Sequence, residues 1–69
     1  MKVSARNTLP GVVRQIEPGA VNAEVTIELG PGITVVSIIT MDAVNSLGLK
    51  VGQKAYAVIK ASSVMIGID

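Results

Sequence analysis

The sequence contains no cysteine, histidine, tryptophan or phenylalanine, and one tyrosine is its only aromatic residue. Without cysteine or histidine the chain can form neither a disulfide nor a structural zinc site. The same absence removes the usual general base and the thiol nucleophile of enzymes. Its few carboxylates are scattered along the chain rather than paired. The sequence therefore predicts no directly ligated metal cation, no catalytic residues and no enzyme.

The sequence also has no large excess of either charge, because six Lys and Arg residues against five Asp and Glu give a net charge of +1. A surface that binds a nucleic acid normally needs clustered basic residues, and base stacking needs aromatic side chains. No apolar run is long enough to span a membrane, and the first residues lack the apolar stretch of a signal peptide. We therefore expect a cytoplasmic protein with neither nucleic acid nor membrane as a partner.

The chain has 69 residues, and 49% of them are hydrophobic. This length predicts a single domain, residues 1–69, whose core alone is only marginally stabilising. Since disulfides and structural zinc are excluded, self-association is the remaining way to bury so much apolar surface. The composition therefore predicts an obligate homo-oligomer.

The clearest periodic pattern lies in residues 21–29, where apolar side chains occupy every odd position. This alternation predicts a half-buried strand. Residues 3–16 are rich in β-formers but contain Pro10, which predicts either an edge strand with a bend or two short strands. Residues 33–39 predict a further strand. The alternation of apolar and polar residues breaks at Val35, so this strand is expected to be either bulged or buried on both faces.

Residues 40–48 predict a short helix, with Thr40 as the N-cap and Gly48 in the left-handed conformation that ends it. Two more strands are predicted at residues 54–60 and 64–68. A helix between the third and fourth of five strands is the arrangement of the OB-fold. The predicted fold class is therefore all-β with one short helix, an OB-like five-stranded barrel.

Two short runs rich in hydrogen-bond donors stand near opposite ends of the sequence. They are Ser4-Ala5-Arg6-Asn7 and Lys60-Ala61-Ser62-Ser63. Neither contains a carboxylate, and groups that only donate suit a ligand that only accepts, such as a small deprotonated oxyanion. Taken singly, Arg6 and Lys60 are more often exposed charges on edge strands. Terminal strands of a small barrel are commonly neighbours, however, so the two runs together predict a candidate anion site.

Thr40 is a third candidate. A capping hydroxyl is normally engaged by the backbone, whereas a helix N-terminus also presents free N–H groups that attract anions. The sequence leaves both interpretations open. The spacing of Lys60 and Ser62 is also compatible with a Ser–Lys dyad, but two residues this close on a strand and a turn create no pocket, so we assign no catalytic role.

These residues resemble a known family, the molbindins or Mop-domain proteins. The two donor runs and residues 19–25, 39–40, 47–49 and 60–64 are similar to the family pattern, and the resemblance extends over residues 4–68. It implies an OB-like barrel and a hexamer built as a trimer of dimers. It also implies cytoplasmic binding of molybdate or tungstate, for storage or homeostasis, without any other cofactor.

The resemblance also implies positions for the ligand. The family's anion site at the dimer interface falls on Ser4, Ala5, Arg6, Thr40, Lys60, Ala61 and Ser62. A second site near the three-fold axis falls on Gly19, Ala20 and Val21. In the interface site, Arg6 and Lys60 would supply charge, while hydroxyls and backbone amides would supply direction.

Two alternatives remain at this point. The chain could be an OB-fold module that binds nucleic acid or protein, and an electrophoretic shift with single-stranded oligonucleotides would detect the former. It could instead be a structural oligomer without a ligand. Metal analysis of protein from molybdate-supplemented cells would separate that alternative from oxyanion binding.

Overall fold

The computed structural model describes residues 1–69, which form one curled antiparallel sheet and one helix. The elements are β1 (Asn7–Pro18), β2 (Asn22–Gly30), β3 (Ile33–Thr40), α1 (Met41–Leu47) and β4 (Lys54–Ile59). The strands lie in the order β3-β2-β1-β4, so β3 and β4 are the edges. A short 3₁₀ turn, Ala61–Ser63, follows β4. No helix in this fold has the length and apolar character needed to cross a bilayer.

β1 is a single strand that changes its neighbour halfway along. From Asn7 to Val12 it pairs with β4, and from Val12 onward it pairs with β2. Pro10 lies in the half that has only one neighbour, so its missing N–H removes no bond on a second side. One strand therefore forms here rather than two short ones.

Gly11 lies where β1 passes close to Ile27 and Glu28 of β2. A Cβ atom at this position would lie 2.5 Å from the carbonyl oxygen of Glu28 and 2.6 Å from Cγ2 of Ile27. Such distances leave no room for a side chain, so glycine is required for the close approach. A register irregularity at Arg14 adds a bulge, which bends the strand further.

The alternation predicted for residues 21–29 is confirmed by β2, in which Ala23, Val25 and Ile27 are buried. Side chains from the other elements complete the buried core, which consists of Val13, Ala23, Val25, Ile27, Val44 and Ala57. These six are the only buried residues among 69. A single chain therefore leaves most of its apolar content in contact with water.

β3 corrects the expectation of a bulged or doubly buried strand. Its pairing with β2 is regular along the strand, and the one irregularity lies beside the hairpin, between Glu28 and Gly30. Val35 packs against the core, whereas Val36 and Ile38 point outward and are 56% and 64% exposed. The alternation of apolar and polar residues breaks in this edge strand because its outward face also carries apolar side chains.

The predicted helix is confirmed as α1. The Thr40 hydroxyl accepts a hydrogen bond from the Ala43 N–H (3.0 Å), and Gly48 ends the helix with φ 62° and ψ 39°. The helix presents a core-facing side through Met41 and Val44, while Leu47 is 65% exposed. The left-handed conformation at Gly48 is the reason that glycine stands there.

The predicted fifth strand is absent, and the sheet of this chain has four strands. Residues 64–69, which we call the arm, form no regular structure, and no backbone hydrogen bond involves residues 65–69. Met65, Ile66 and Ile68 are 92%, 88% and 95% exposed. The all-β, OB-like class with one short helix is confirmed, but the barrel is only half closed because the arm has no neighbouring strand within the chain.

The open side of the half-barrel is an apolar cleft of about 280 Å³ between the two edge strands. Its apolar lining consists of Ile27, Val35 and Val36 on one side and Ala57, Val58 and Ile59 on the other. Backbone groups on the free edges of β3 and β4 border this cleft and have no strand partner. The cleft is the place where a closed barrel would hold another strand.

Candidate functional site

One open cleft, which we call the donor cleft, gathers most of the residues that the sequence assigns to the interface site. It has a volume of about 560 Å³ and is lined by Ser4, Ala5, Arg6, Val58, Lys60, Ala61 and Ser62. All of these side chains are exposed or half-buried. The two donor-rich runs from opposite ends of the sequence therefore meet at one solvent-accessible place.

The β1–β4 ladder brings the two runs together. β1 begins at Asn7 and β4 ends at Ile59, and these two residues are directly paired. Arg6 immediately precedes the first and Lys60 immediately follows the second. Because both residues flank the same end of one antiparallel ladder, their side chains border one cleft.

The 3₁₀ turn after β4 holds the second wall of the donor cleft. Ser63 N–H donates to the carbonyl of Lys60 (2.9 Å), and Val64 N–H donates to that of Ala61 (3.3 Å). These two bonds keep the turn compact, so Lys60, Ala61 and Ser62 stay beside residues 4–6 instead of continuing along β4. The turn therefore determines both the cleft wall and the direction in which the arm leaves.

The two cations of the donor cleft have no partner of opposite charge in the chain. The only salt bridge joins Arg14 to Glu28 at 2.9 Å, on the other part of the sheet. Lys54 lies over the ring of Tyr56, 5.5 Å from its centroid. Arg6 and Lys60 form no ion pair and no side-chain hydrogen bond. Two like charges thus border one cleft without compensation.

The hydroxyl groups at the donor cleft are equally free. Neither Ser4 nor Ser62 takes part in a side-chain hydrogen bond within the chain. No carboxylate is among the lining residues. The cleft therefore offers positive charge and uncommitted donors, which is the chemistry that a tetrahedral oxyanion requires.

Carboxylates lie mainly on β1 and β2. Glu17 stands opposite Glu24 in the β1–β2 ladder, and Glu28 pairs with Arg14. Nowhere do three or more His, Cys, Asp or Glu side chains lie close enough together to hold a metal ion. None of the anionic side chains lines the donor cleft.

Thr40 lies apart from the donor cleft within the chain. It is not among the lining residues, and its hydroxyl already accepts the Ala43 N–H as the N-cap of α1. The structure of one chain accordingly does not bring Thr40 together with Arg6 and Lys60. A site that contains all three would need Thr40 from a second copy of the chain.

The segment Gly19-Ala20-Val21 also lies outside the donor cleft, in the turn between β1 and β2. The carbonyl of Val21 accepts a hydrogen bond from Met41 N–H at 2.7 Å, which ties this turn to the start of α1. The Val21 side chain is 71% exposed. Within one chain this turn is an exposed apolar corner of the fold.

Val58 is a lining residue that the sequence interpretation missed. It stands two positions before Lys60, and residues two apart in a strand share a face. This two-residue spacing from Lys60 is the sequence feature that could have identified Val58 as a lining residue. Val58 also lines the apolar cleft between β3 and β4, so the two clefts adjoin at this side chain.

Residues 3–66 match the family model described as the TOBE domain. The match covers most of the chain and includes both walls of the donor cleft. The chain belongs to the TOBE-domain family, and its resemblance to the Mop proteins is confirmed by the relatives that follow.

The probable molybdenum-pterin-binding protein of Haemophilus influenzae is 52% identical to this chain over 69 residues, which is all of both chains. MopII from Clostridium pasteurianum has a structure that matches with a TM-score of 0.90 at 43% identity, over 97% of this chain and 100% of that one. The cytoplasmic molybdate-binding protein ModG, in a structure with molybdate bound, matches with a TM-score of 0.92 at 54% identity. That match covers 100% of this chain and 49% of ModG.

Proposed function

We propose that this chain binds molybdate or tungstate, without catalysis, at the donor cleft. The observation that carries the proposal is the meeting of Arg6 and Lys60, two cations without partners, at a cleft that no carboxylate lines. Relatives named for molybdenum or molybdate binding support it. The two cations would neutralise the dianion, while the hydroxyls of Ser4 and Ser62 and nearby backbone amides would orient it.

Selectivity follows from the donor character of the lining. A fully deprotonated tetrahedral dianion presents only acceptors, so every oxygen can meet a donor. Hydrogen phosphate carries its own proton, and neither the guanidinium of Arg6 nor the ammonium of Lys60 can accept it. Sulfate has the same charge and shape as molybdate but is smaller, so we propose that the size of the closed site separates the two.

We propose further that the chain acts as a homo-oligomer, a hexamer built as a trimer of dimers. One chain exposes 5330 Å² of surface, about 1200 Å² more than the surface of about 4100 Å² expected for a folded monomer of its mass. A standard interface buries about 800 Å² per partner. The excess therefore exceeds what one interface per subunit would cover.

The arm supplies a physical route to association. Val64, Ile66 and Ile68 alternate with other residues, which is the pattern of a strand with one apolar face. The apolar cleft between β3 and β4 has free strand edges and an apolar lining. We propose that the arm of one subunit fills the cleft of another, since strand addition satisfies the backbone groups of both.

Association would also complete the site. In the proposed dimer, Thr40 of a second subunit closes the donor cleft of the first, and the anion lies at their interface. The turn at Gly19, Ala20 and Val21 is proposed as the second anion site, near the three-fold axis. The proposed cellular role is storage or homeostasis of the oxyanion in the cytoplasm, as the description of ModG as a cytoplasmic protein suggests.

Isothermal titration calorimetry of the oligomer with molybdate and with tungstate tests the binding proposal, with sulfate and phosphate as controls. We expect saturable binding of the first two and much weaker binding of the others. Light scattering on the same samples should give six times the mass of the 7.1 kDa chain. Absence of molybdate binding would refute the proposed function, and a stable monomer would refute the shared site.

A further inference from the structure

We infer that oxyanion binding at the donor cleft and docking of the arm in a second subunit are coupled, so that the bound anion slows the exchange of subunits. This inference rests on the proposed function. It goes beyond that function because it assigns the ligand a second effect, on the lifetime of the assembly. Three features of the chain support it.

The first feature is the position of the turn. Lys60, Ala61 and Ser62 line the donor cleft, and the arm begins two residues later. Both flanking residues of the turn, Lys60 and Val64, have extended backbones (φ −61°, ψ 131° and φ −87°, ψ 124°). A rotation within residues 60–63 would therefore redirect the whole arm. An anion that fixes the turn also fixes the direction of the arm.

The second feature is the shared wall between the two clefts. Val58 lines both the donor cleft and the apolar cleft that we propose for the partner's arm. It is 45% exposed in the free chain, so a partner's arm can contact it. An arm packed against Val58 would restrict one wall of the donor cleft. Packing of an arm in the apolar cleft would thus affect the shape of the donor cleft through Val58.

The third feature is the uncompensated charge. Arg6 and Lys60 border the same cleft from two different segments, and neither has an ionic partner. Without an anion their repulsion favours separation of residues 4–6 from the turn. A bound dianion attracts both segments and holds them together. The turn that carries the arm is therefore most constrained when the site is filled.

Coupling of this kind is reciprocal. If the anion favours the docked arm by a given factor, the docked arm raises the affinity for the anion by the same factor. Weakening the arm should consequently weaken anion binding, although the arm does not line the donor cleft. In oligomers that remain assembled, a structural role of the arm that was independent of the site would not have this effect.

Subunit exchange provides the direct test. Oligomers of ¹⁵N-labelled and unlabelled chain are mixed, and native mass spectrometry follows the appearance of mixed species with no ligand, with molybdate or with sulfate. We expect molybdate to slow the exchange by about tenfold or more, because coupling between sites commonly shifts an equilibrium by about 5–150-fold and a more stable docked arm leaves its partner more slowly. Sulfate at the same concentration should leave the rate unchanged.

Two arm variants test reciprocity. In the proposed docked strand, Ile66→Ala removes apolar surface from the face shared with Val64 and Ile68, whereas Met65→Ala changes the opposite face and serves as the control. We expect Ile66→Ala to weaken molybdate binding and Met65→Ala to leave it unchanged. If Ile66→Ala prevents assembly, Ile68→Val gives a smaller change of the same kind, and the same order of affinities is expected.

The failures of the two proposals are distinguishable. Calorimetry without any molybdate binding would overturn the proposed function. Normal binding together with an exchange rate that molybdate does not change would overturn the coupling and leave molybdate binding itself intact. Unaltered molybdate affinity in assembled Ile66→Ala and Ile68→Val oligomers would also overturn it.

Discussion

The side-chain amide of Asn7 donates a hydrogen bond to the carbonyl oxygen of Ile59 at 3.3 Å, and the same two residues face each other in the β1–β4 ladder. This doubled connection joins positions 52 residues apart in the sequence. It fixes the main chain beside Arg6 and Lys60, whose side chains remain free. The scaffold of the donor cleft is thus held in place independently of the charged groups that border it.

Because the scaffold does not depend on the guanidinium group, Arg6→Ala should preserve the fold and lose ligand affinity. Removing a charged donor from a desolvated dianion is expected to cost about 2–5 kcal/mol of binding free energy. Calorimetry with molybdate measures the loss. Arg14→Ala is the matched control, since it removes an exposed arginine that pairs with Glu28 instead. Equal affinity in the Arg6 variant and the parent would remove Arg6 from the site.

Lys60→Met should separate a binding role from a solubilising role, because it keeps an apolar stem and removes the charge. Saturation with ligand at a hundredfold excess over the dissociation constant stabilises an assembled protein by about 2.7 kcal/mol. We expect the variant to lose most of the molybdate-induced rise in melting temperature. Its melting temperature without ligand should be equal to that of the parent or higher, since repulsion with Arg6 is relieved.

Thermal melting with molybdate, with sulfate and without ligand measures the effect of Lys60→Met. Lys50→Met is the control, because Lys50 is an exposed lysine in the turn before β4 and does not line the donor cleft. A full molybdate shift in the Lys60 variant would show that its ammonium group does not hold the anion.

Thr40 has a capping role in the structure and a ligand role in the proposal, and two substitutions separate them. Thr40→Asn and Thr40→Asp both keep an N-cap, whereas Thr40→Ala should lose about 1 kcal/mol of stability. If Thr40 faces the anion, the carboxylate of Thr40→Asp repels it, and molybdate affinity should fall well below that of Thr40→Asn. Equal affinities, measured by calorimetry on folded protein, would restrict Thr40 to its capping role.

Gly11→Ala tests the close approach of β1 to β2. The new methyl group would meet a backbone oxygen at 2.5 Å, and backbone cannot move aside as a flexible side chain can. Overpacking of this kind costs about 1–3 kcal/mol of unfolding free energy. Gly30→Ala is the control, because no atom lies within 4 Å of its Cβ position. Chemical denaturation at equal chain concentration should show a loss for the first variant only.

Local patterns in the sequence predicted the local elements correctly. The alternation in residues 21–29 arises from a strand with one face on the core, and Thr40 and Gly48 carry the chemistry that starts and ends α1. Patterns whose meaning depends on a neighbour were misinterpreted. Val36 and the arm carry apolar side chains that face solvent in one chain, and their sequence resembles that of buried strands.

In the candidate site, too, the chemistry of single residues could be predicted from the sequence, whereas their positions relative to one another could not. Donor chemistry at Arg6 and Lys60 is visible in the sequence, but their convergence depends on the β1–β4 pairing, which only the expected barrel topology suggested. Val58 was not predicted because an aliphatic side chain has no ionisable or hydrogen-bonding group that would indicate a binding site. Thr40 does not line the donor cleft of one chain, and the residue pattern of one sequence does not show which residues would meet in an oligomer.

The β1–β4 ladder affects the order in which parts of the chain fold during synthesis. Hairpins β1–β2 and β2–β3 join neighbouring segments, so they can form while the chain is still being synthesised. The donor cleft cannot, because Arg6 precedes β1 whereas Lys60 follows β4, and all four strands lie between the two residues in the sequence. Contacts between such distant residues form late, since they require the largest loop closure. A nascent chain therefore carries no complete donor cleft until β4 and the turn after it have been synthesised.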